Sequence, residues 1–191
     1  MDCRSRECDA PNVRRWRHCQ WNPDQTMSYL ADMKAAGLSI TWGTLLIGWE
    51  GPGKHARLVD AEEVFTFAES LMQNLAPEMA AALADPDDVP RALRELAAKE
   101  GANRDSELRK WQLVMLRRAL AELPKDPVYG LTALTEFWER FDYPSDSPHV
   151  IQGRENQISP ADYFTEDNFR RIVEGHQRWI QSEASRLKPD E

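Results

Sequence analysis

The sequence lacks any long hydrophobic run. No apolar stretch approaches the ~20 residues that a membrane-spanning helix needs, and the chain does not open on the charged, apolar and small-residue regions of a secretory signal. We therefore expect a cytoplasmic protein with no membrane partner. At 191 residues, 41% of them hydrophobic, the chain is long enough for one domain with a substantial core.

Motifs for catalysis are also scarce. The four histidines are scattered, and there is no His-Glu-x-x-His, no Gly-x-Ser-x-Gly and no cysteine beyond Cys19. His176 falls on the apolar stripe of the last predicted helix, which favours a core histidine. His55 and His149 fall in predicted loops, where the sequence assigns them no catalytic partner. We predict no catalytic residue, no cofactor and no metal site, and we interpret the protein as a non-enzyme.

The first 26 residues differ from the rest. They hold all three cysteines, Cys3, Cys8 and Cys19, together with five arginines. Three thiols leave one unpaired in any intramolecular scheme, and although His18 could join them around zinc, the spacing lacks a Cys-x-x-Cys pair. We interpret residues 1–26 as a flexible tail and residues 27–191 as an all-helical domain.

A glycine-rich stretch, Gly48–His55, is the strongest candidate for chemistry. It is one residue short of the phosphate-binding pattern Gly-x-x-x-x-Gly-Lys-[Ser/Thr], because His55 stands where a hydroxyl should bind magnesium. Such a loop also needs a strand before it and a helix that begins at Lys54. The next helix-start signal comes later, as a capping box from Asp60 to Glu63. We favour a turn between helices, with a degenerate nucleotide-binding enzyme as the alternative.

Helical periodicity runs through most of the chain after residue 26. It predicts an all-α, single-domain, bundle-like array of about seven or eight helices. The predicted helices are one from a Thr26 cap to Ala36, one through Trp42 and Trp49, one after Asp60, two around 78–84 and 91–99, one capped by Asn103 or Asp105, one opened by Asp126 and Pro127, and one capped by Thr165 after an irregular stretch over 144–160.

The net charge of the chain indicates what kind of partner it could bind. A formal net charge of −8 argues against nucleic acid and favours a basic protein partner. Glu62 and Glu69 are expected on the exposed side of the helix that follows Asp60. Trp42 and Trp49 belong either to the core, which we favour, or to an exposed anchor, since aromatic side chains dominate binding hot spots. The candidate partner-binding residues are thus Trp42, Trp49, Glu62 and Glu69.

Five segments carry a family resemblance, namely Leu38–Trp49, Leu58–Ala68, Lys110-Trp111, Gly130–Trp138 and Pro160–Phe164. With these segments, most of residues 27–187 resembles DUF2247, a bacterial family of unknown function. Small proteins of this kind resemble the immunity partners of bacterial toxins, which implies a binding role and supplies no catalytic residue. The leading hypothesis is an immunity- or antitoxin-like inhibitor whose partner is a basic toxin domain. The alternatives are the nucleotide-binding enzyme and an all-helical scaffold domain.

Overall fold

The computed structural model describes residues 28–71 and 74–188, and over these residues it contains nine helices and no strand. The all-α prediction is confirmed, and the predicted helices correspond to the eight that have seven residues or more. The helices are α1 Tyr29–Ala35, α2 Trp42–Glu50, α3 Ala61–Glu69, α4 Pro77–Ala84, α5 Val89–Glu100, α6 Arg104–Ala121, α7 Pro127–Glu139, α8 Pro160–Tyr163 and α9 Glu166–Arg186. The tail, its cysteines and the zinc alternative lie outside the described residues.

Side-chain caps fix where most helices begin. At α3, the Glu63 backbone N–H donates to Asp60 Oδ1 at 2.9 Å, and the Asp60 N–H donates to Glu63 Oε2 at 3.2 Å. This reciprocal pair is the predicted capping box. Asn103, Asp126 and Thr165 cap α6, α7 and α9 as expected.

Two boundaries differ from the prediction. The cap of α1 is Ser28, whose hydroxyl accepts the Leu30 N–H at 3.1 Å, so the helix begins at Tyr29 and Thr26 is not its cap. Thr26 and Ser28 are both good capping residues, and local preference alone does not choose between them. The predicted irregular stretch over 144–160 leads directly into the short helix α8, which is capped by Ser159 and was not predicted.

Helix α6 is the centre of the core. It packs against α1, α2, α7 and α9, and every residue from Trp111 to Leu116 is buried. Because α6 has neighbours on several sides, it buries more than the single apolar stripe of a surface helix.

A buried ion pair within α6 is hydrogen-bonded to residues at the start of α2. Lys110 Nζ lies 2.8 and 2.9 Å from the two carboxylate oxygens of Glu107 and donates to the Ser39 carbonyl at 3.0 Å. The Thr44 hydroxyl donates to the same carboxylate, and Trp111 Nε1 donates to the Thr44 carbonyl at 3.0 Å. Each charge thus has several partners, as burial of charge requires.

Candidate protein-binding surface

The glycine-rich stretch does not have the surroundings of a phosphate loop. Helix α2 leads into the stretch and includes its first three residues, where a strand would have to precede it, and α3 begins at Ala61, well after Lys54. Lys54 instead makes hydrogen bonds to the C-terminal end of α7. Its backbone N–H donates to the Arg140 carbonyl at 2.7 Å, and its ammonium donates to the Glu139 carbonyl at 3.3 Å and lies 2.6 Å from Asp142. The hydrogen bond that the Lys54 ammonium donates to the Asp142 carboxylate raises the pKa of Lys54. These contacts satisfy carbonyls that a helix end leaves without partners.

Close packing explains the glycines of this stretch. A Cβ on Gly48 would lie 2.4 Å from the Trp111 ring and 2.4 Å from Val59. Gly53 has φ +60°, and its Cβ would lie 2.4 Å from the Arg140 carbonyl oxygen. Side-chain packing therefore requires glycine at position 48, whereas the backbone conformation and a close backbone contact require it at position 53.

Two histidines are neutral parts of the core. The His176 Nε2 accepts from Trp138 Nε1 at 2.9 Å, so its proton sits on Nδ1, which donates to the Ile172 carbonyl at 2.7 Å. His149 Nε2 lies 2.8 Å from the Thr135 hydroxyl, which itself donates to a backbone carbonyl, so His149 is the donor. Burial lowers the pKa of His149 to about 3 and also lowers that of His176. The core prediction for His176 is confirmed.

His55 is also held in a structural setting. Its Nδ1 lies 3.5 Å from the Arg140 guanidinium, and its ring centre lies 5.2 Å from that of Phe141. Burial, with the neighbouring Arg140 charge, lowers the pKa of His55 to about 4. The imidazole is therefore neutral at physiological pH.

The two candidate tryptophans lie in the core. Trp42 is 7% exposed and Trp49 is 6% exposed. The Trp42 and Phe67 rings pack edge to face, with their centres 5.1 Å apart. The Arg57 guanidinium carbon lies 3.7 Å from the centre of the Trp49 ring and covers its face. The core interpretation is correct for both, and neither side chain is available as an exposed anchor.

Phe65 is the exposed aromatic residue of α3. Its side chain is 39% exposed, and it lies between the exposed residues Glu62 and Glu69 at helical spacing. The sequence did not predict this exposure, because an amphipathic pattern does not show which residue at the edge of a helix's apolar face remains exposed to solvent.

Negative charge is concentrated in one part of the chain. Residues 58–90 contain eight acidic side chains and no Lys, Arg or His. Elsewhere among the described residues, 18 acidic side chains face 19 basic ones. The whole negative excess of the described chain therefore comes from α3, α4 and the turn that follows them.

The carboxylates of this segment are largely unpaired. Of the eight, only Asp88 makes an ion pair among the described residues, with Arg91 at 3.1 Å. Six of the other seven are exposed, namely Asp60, Glu62, Glu69, Glu78, Asp85 and Asp87. They lie at the start of α3, along α3 and α4 and in the turn after α4, and α3 and α4 pack against each other. We call this region the acidic surface.

A groove of about 350 Å³ runs between α1 and α3 at the edge of the acidic surface. Its apolar lining comes from Leu30, Ile40 and Phe67, and Asp60, Glu62 and Glu63 form its acidic rim, with Lys34 on the α1 side. We call it the acidic groove. Glu62 thus borders the groove, whereas Glu69 belongs to the acidic surface outside it.

Two other kinds of site, a metal centre and a membrane span, are absent from residues 28–71 and 74–188. No group of three or more His, Cys, Asp or Glu side chains in that part is arranged to hold a metal ion. No helix there combines the length and the apolar character required to cross a bilayer.

Comparison with known proteins shows the family of this chain. No curated protein and no solved structure matches the chain. A family model described as "Uncharacterized protein conserved in bacteria (DUF2247)" matches residues 30–184, from α1 to near the end of α9. The match covers more than half of the chain, so the protein belongs to the bacterial family DUF2247.

Proposed function

We propose that this protein is a non-enzymatic, cytoplasmic binding protein that takes a basic protein partner on its acidic surface. In its specific form, the proposal is that it inhibits a bacterial toxin domain as an immunity protein does. The observation that carries it is the charge distribution: residues 58–90 hold eight acidic side chains without one basic side chain, while the rest of the described chain is almost balanced.

A localised charge suits recognition better than solubility. Charge spread over the whole surface keeps a protein soluble, whereas charge on one face creates a field that orients an approaching partner. The unpaired carboxylates of the acidic surface can form ion pairs with a basic partner without first breaking pairs of their own. An inhibitor of this kind acts by covering the partner's active site, so it needs no catalytic group.

Charge reversal at Glu62 and Glu69 tests the proposal. Both side chains are exposed, and neither makes an ion pair among the described residues. Asp60 and Glu63 are unsuitable because they form the capping box of α3, and their replacement would also weaken the helix. A matched control reverses Glu122 and Glu136, which are exposed, unpaired in the described chain and outside the acidic surface.

The binding partner for this test is the product of the neighbouring gene, which the inhibitor proposal expects to be a toxin domain. We expect Glu62→Lys with Glu69→Lys to slow association about tenfold at low salt, with a smaller effect on dissociation. Glu122→Lys with Glu136→Lys, which changes net charge equally, should have a much smaller effect. Stopped-flow association rates, after a check that melting is unchanged, give the answer. Equal slowing by both pairs would remove the acidic surface from the interface, and no binding by the wild type would refute inhibition.

A further inference from the structure

We infer that the acidic groove receives an apolar side chain that is flanked by Lys or Arg, so that the partner presents a basic amphipathic helix. This inference rests on the proposed function and names how the partner docks. It goes beyond charge, because it requires burial of an apolar group between α1 and α3.

The lining of the groove is suited to such a side chain. Ile40 and Phe67 are only half-buried, and Leu30 lies beneath them as part of the core. The buried Trp42 ring packs edge to face against Phe67, with the two ring centres 5.1 Å apart, and this contact limits the movement of Phe67. Filling the groove would therefore remove apolar surface from water without rearrangement of the core.

The rim is held in place before any partner arrives. Glu63 accepts hydrogen bonds from the Ser28 hydroxyl and from the Asp60 N–H, and so links the start of α1 to the start of α3. Its carboxylate is thus a structural part of the groove. Asp60 and Glu62 remain exposed beside it, where cationic groups of a partner can reach them.

Charge complementarity determines the choice of occupant. Three carboxylates line one side of the groove, against the single cation Lys34. An acidic or purely apolar segment would leave this rim unpaired, whereas Lys or Arg next to an apolar side chain satisfies both the rim and the lining. A helix that inserts one apolar face into a groove is a common mode of peptide recognition.

A pair of defined peptides separates the apolar contribution from charge. The first is a short helical peptide of Lys and Leu with the leucines on one face, and the second has Ala in place of every Leu at equal charge. We expect the wild type to bind the Lys-Leu peptide about tenfold more tightly, because the groove buries a leucine side chain. Titration calorimetry measures both affinities.

Ala31→Phe fills the groove from the α1 side without changing charge. It should weaken binding of the Lys-Leu peptide about fivefold or more and leave the Lys-Ala peptide unchanged. The matched control is Ala35→Phe, on the same helix but exposed and outside the groove, which should keep the wild-type preference. Thr66→Phe fills the groove from α3 and replaces Ala31→Phe if that variant does not fold.

The outcomes distinguish this inference from the proposed function. Equal binding of the two peptides by the wild type, or a preference that survives groove filling, overturns the groove as docking site. If Glu62→Lys with Glu69→Lys weakens binding of both peptides in that case, the acidic surface still binds basic partners. If this charge reversal leaves both peptides unaffected, recognition of basic partners fails as well.

Discussion

Replacing Gly48 with alanine tests whether the glycine-rich stretch is a packing device. Alanine normally stabilises a helix interior relative to glycine by about 0.5–1 kcal/mol. In α2, however, the new Cβ would lie 2.4 Å from Trp111 and 2.4 Å from Val59, both almost completely buried. Overpacking of this kind costs about 1–3 kcal/mol, so we expect a net destabilisation of about 1–2 kcal/mol.

Gly175 in α9 supplies a matched control. It also lies inside a helix, but nothing lies within 4 Å of the Cβ that alanine would add. Gly175→Ala should therefore show the propensity gain alone, about 0.5–1 kcal/mol of stabilisation. The same substitution in two helices is expected to change stability in opposite directions.

Thermal and urea unfolding of both variants measure this difference. For a chain of this size, 1 kcal/mol corresponds to a shift of about 2–4 °C in Tm. Gly48→Ala should melt several degrees below the wild type, and Gly175→Ala should melt slightly above it. If Gly48→Ala melts at or above the wild-type temperature, the packing explanation of Gly48 is wrong.

Two further predictions concern buried polar groups. Lowering the pH below about 6.5 should reduce the free energy of unfolding, because His149 and His176 have lowered pKa values in the fold and the unfolded chain takes up protons first. Urea unfolding of His149→Gln, which keeps a donor for Thr135 but does not titrate, should show a weaker dependence between pH 6 and pH 4, and an unchanged slope would contradict this. Lys110→Met should cost about 3–5 kcal/mol by leaving the Glu107 charge buried and unpaired, and adding Glu107→Gln should restore part of that loss. Equal stabilities of the single and double variants would contradict the pairing argument.

Helix positions could be predicted from sequence because their signals are local. The Asp60 capping box and the Pro127 start of α7 depend on contacts between residues a few positions apart. His149 shows where this approach fails. It lies in a polar stretch rich in Ser, Pro and Asp, yet it is buried with its ring centre 5.5 Å from that of His176, far along the chain. Burial of a loop residue depends on what folds over it, which local pattern does not reveal.

The candidate binding residues likewise fall into those that local pattern places correctly and those whose exposure depends on long-range packing. Glu62 and Glu69 could be placed on an exposed face, because polarity on a capped amphipathic helix predicts which side meets water. The apolar part of the surface could not be placed, since Trp42 and Phe65 look equally apolar in sequence while long-range packing buries the first and exposes the second.

The acidic groove likewise exists because α1 and α3 approach each other across a long separation in sequence. The link between Ser28 and Glu63 joins positions that no periodicity connects. Charge alone would make the whole acidic surface equally suited to a basic partner. The groove supplies a position on that surface, and an apolar lining, at which one partner can be distinguished from other basic proteins. We therefore expect a substitution that fills the groove, such as Ala31→Phe, to reduce the protein's preference for one partner over other basic proteins. Substitutions of the surrounding carboxylates should instead change the rate of encounter.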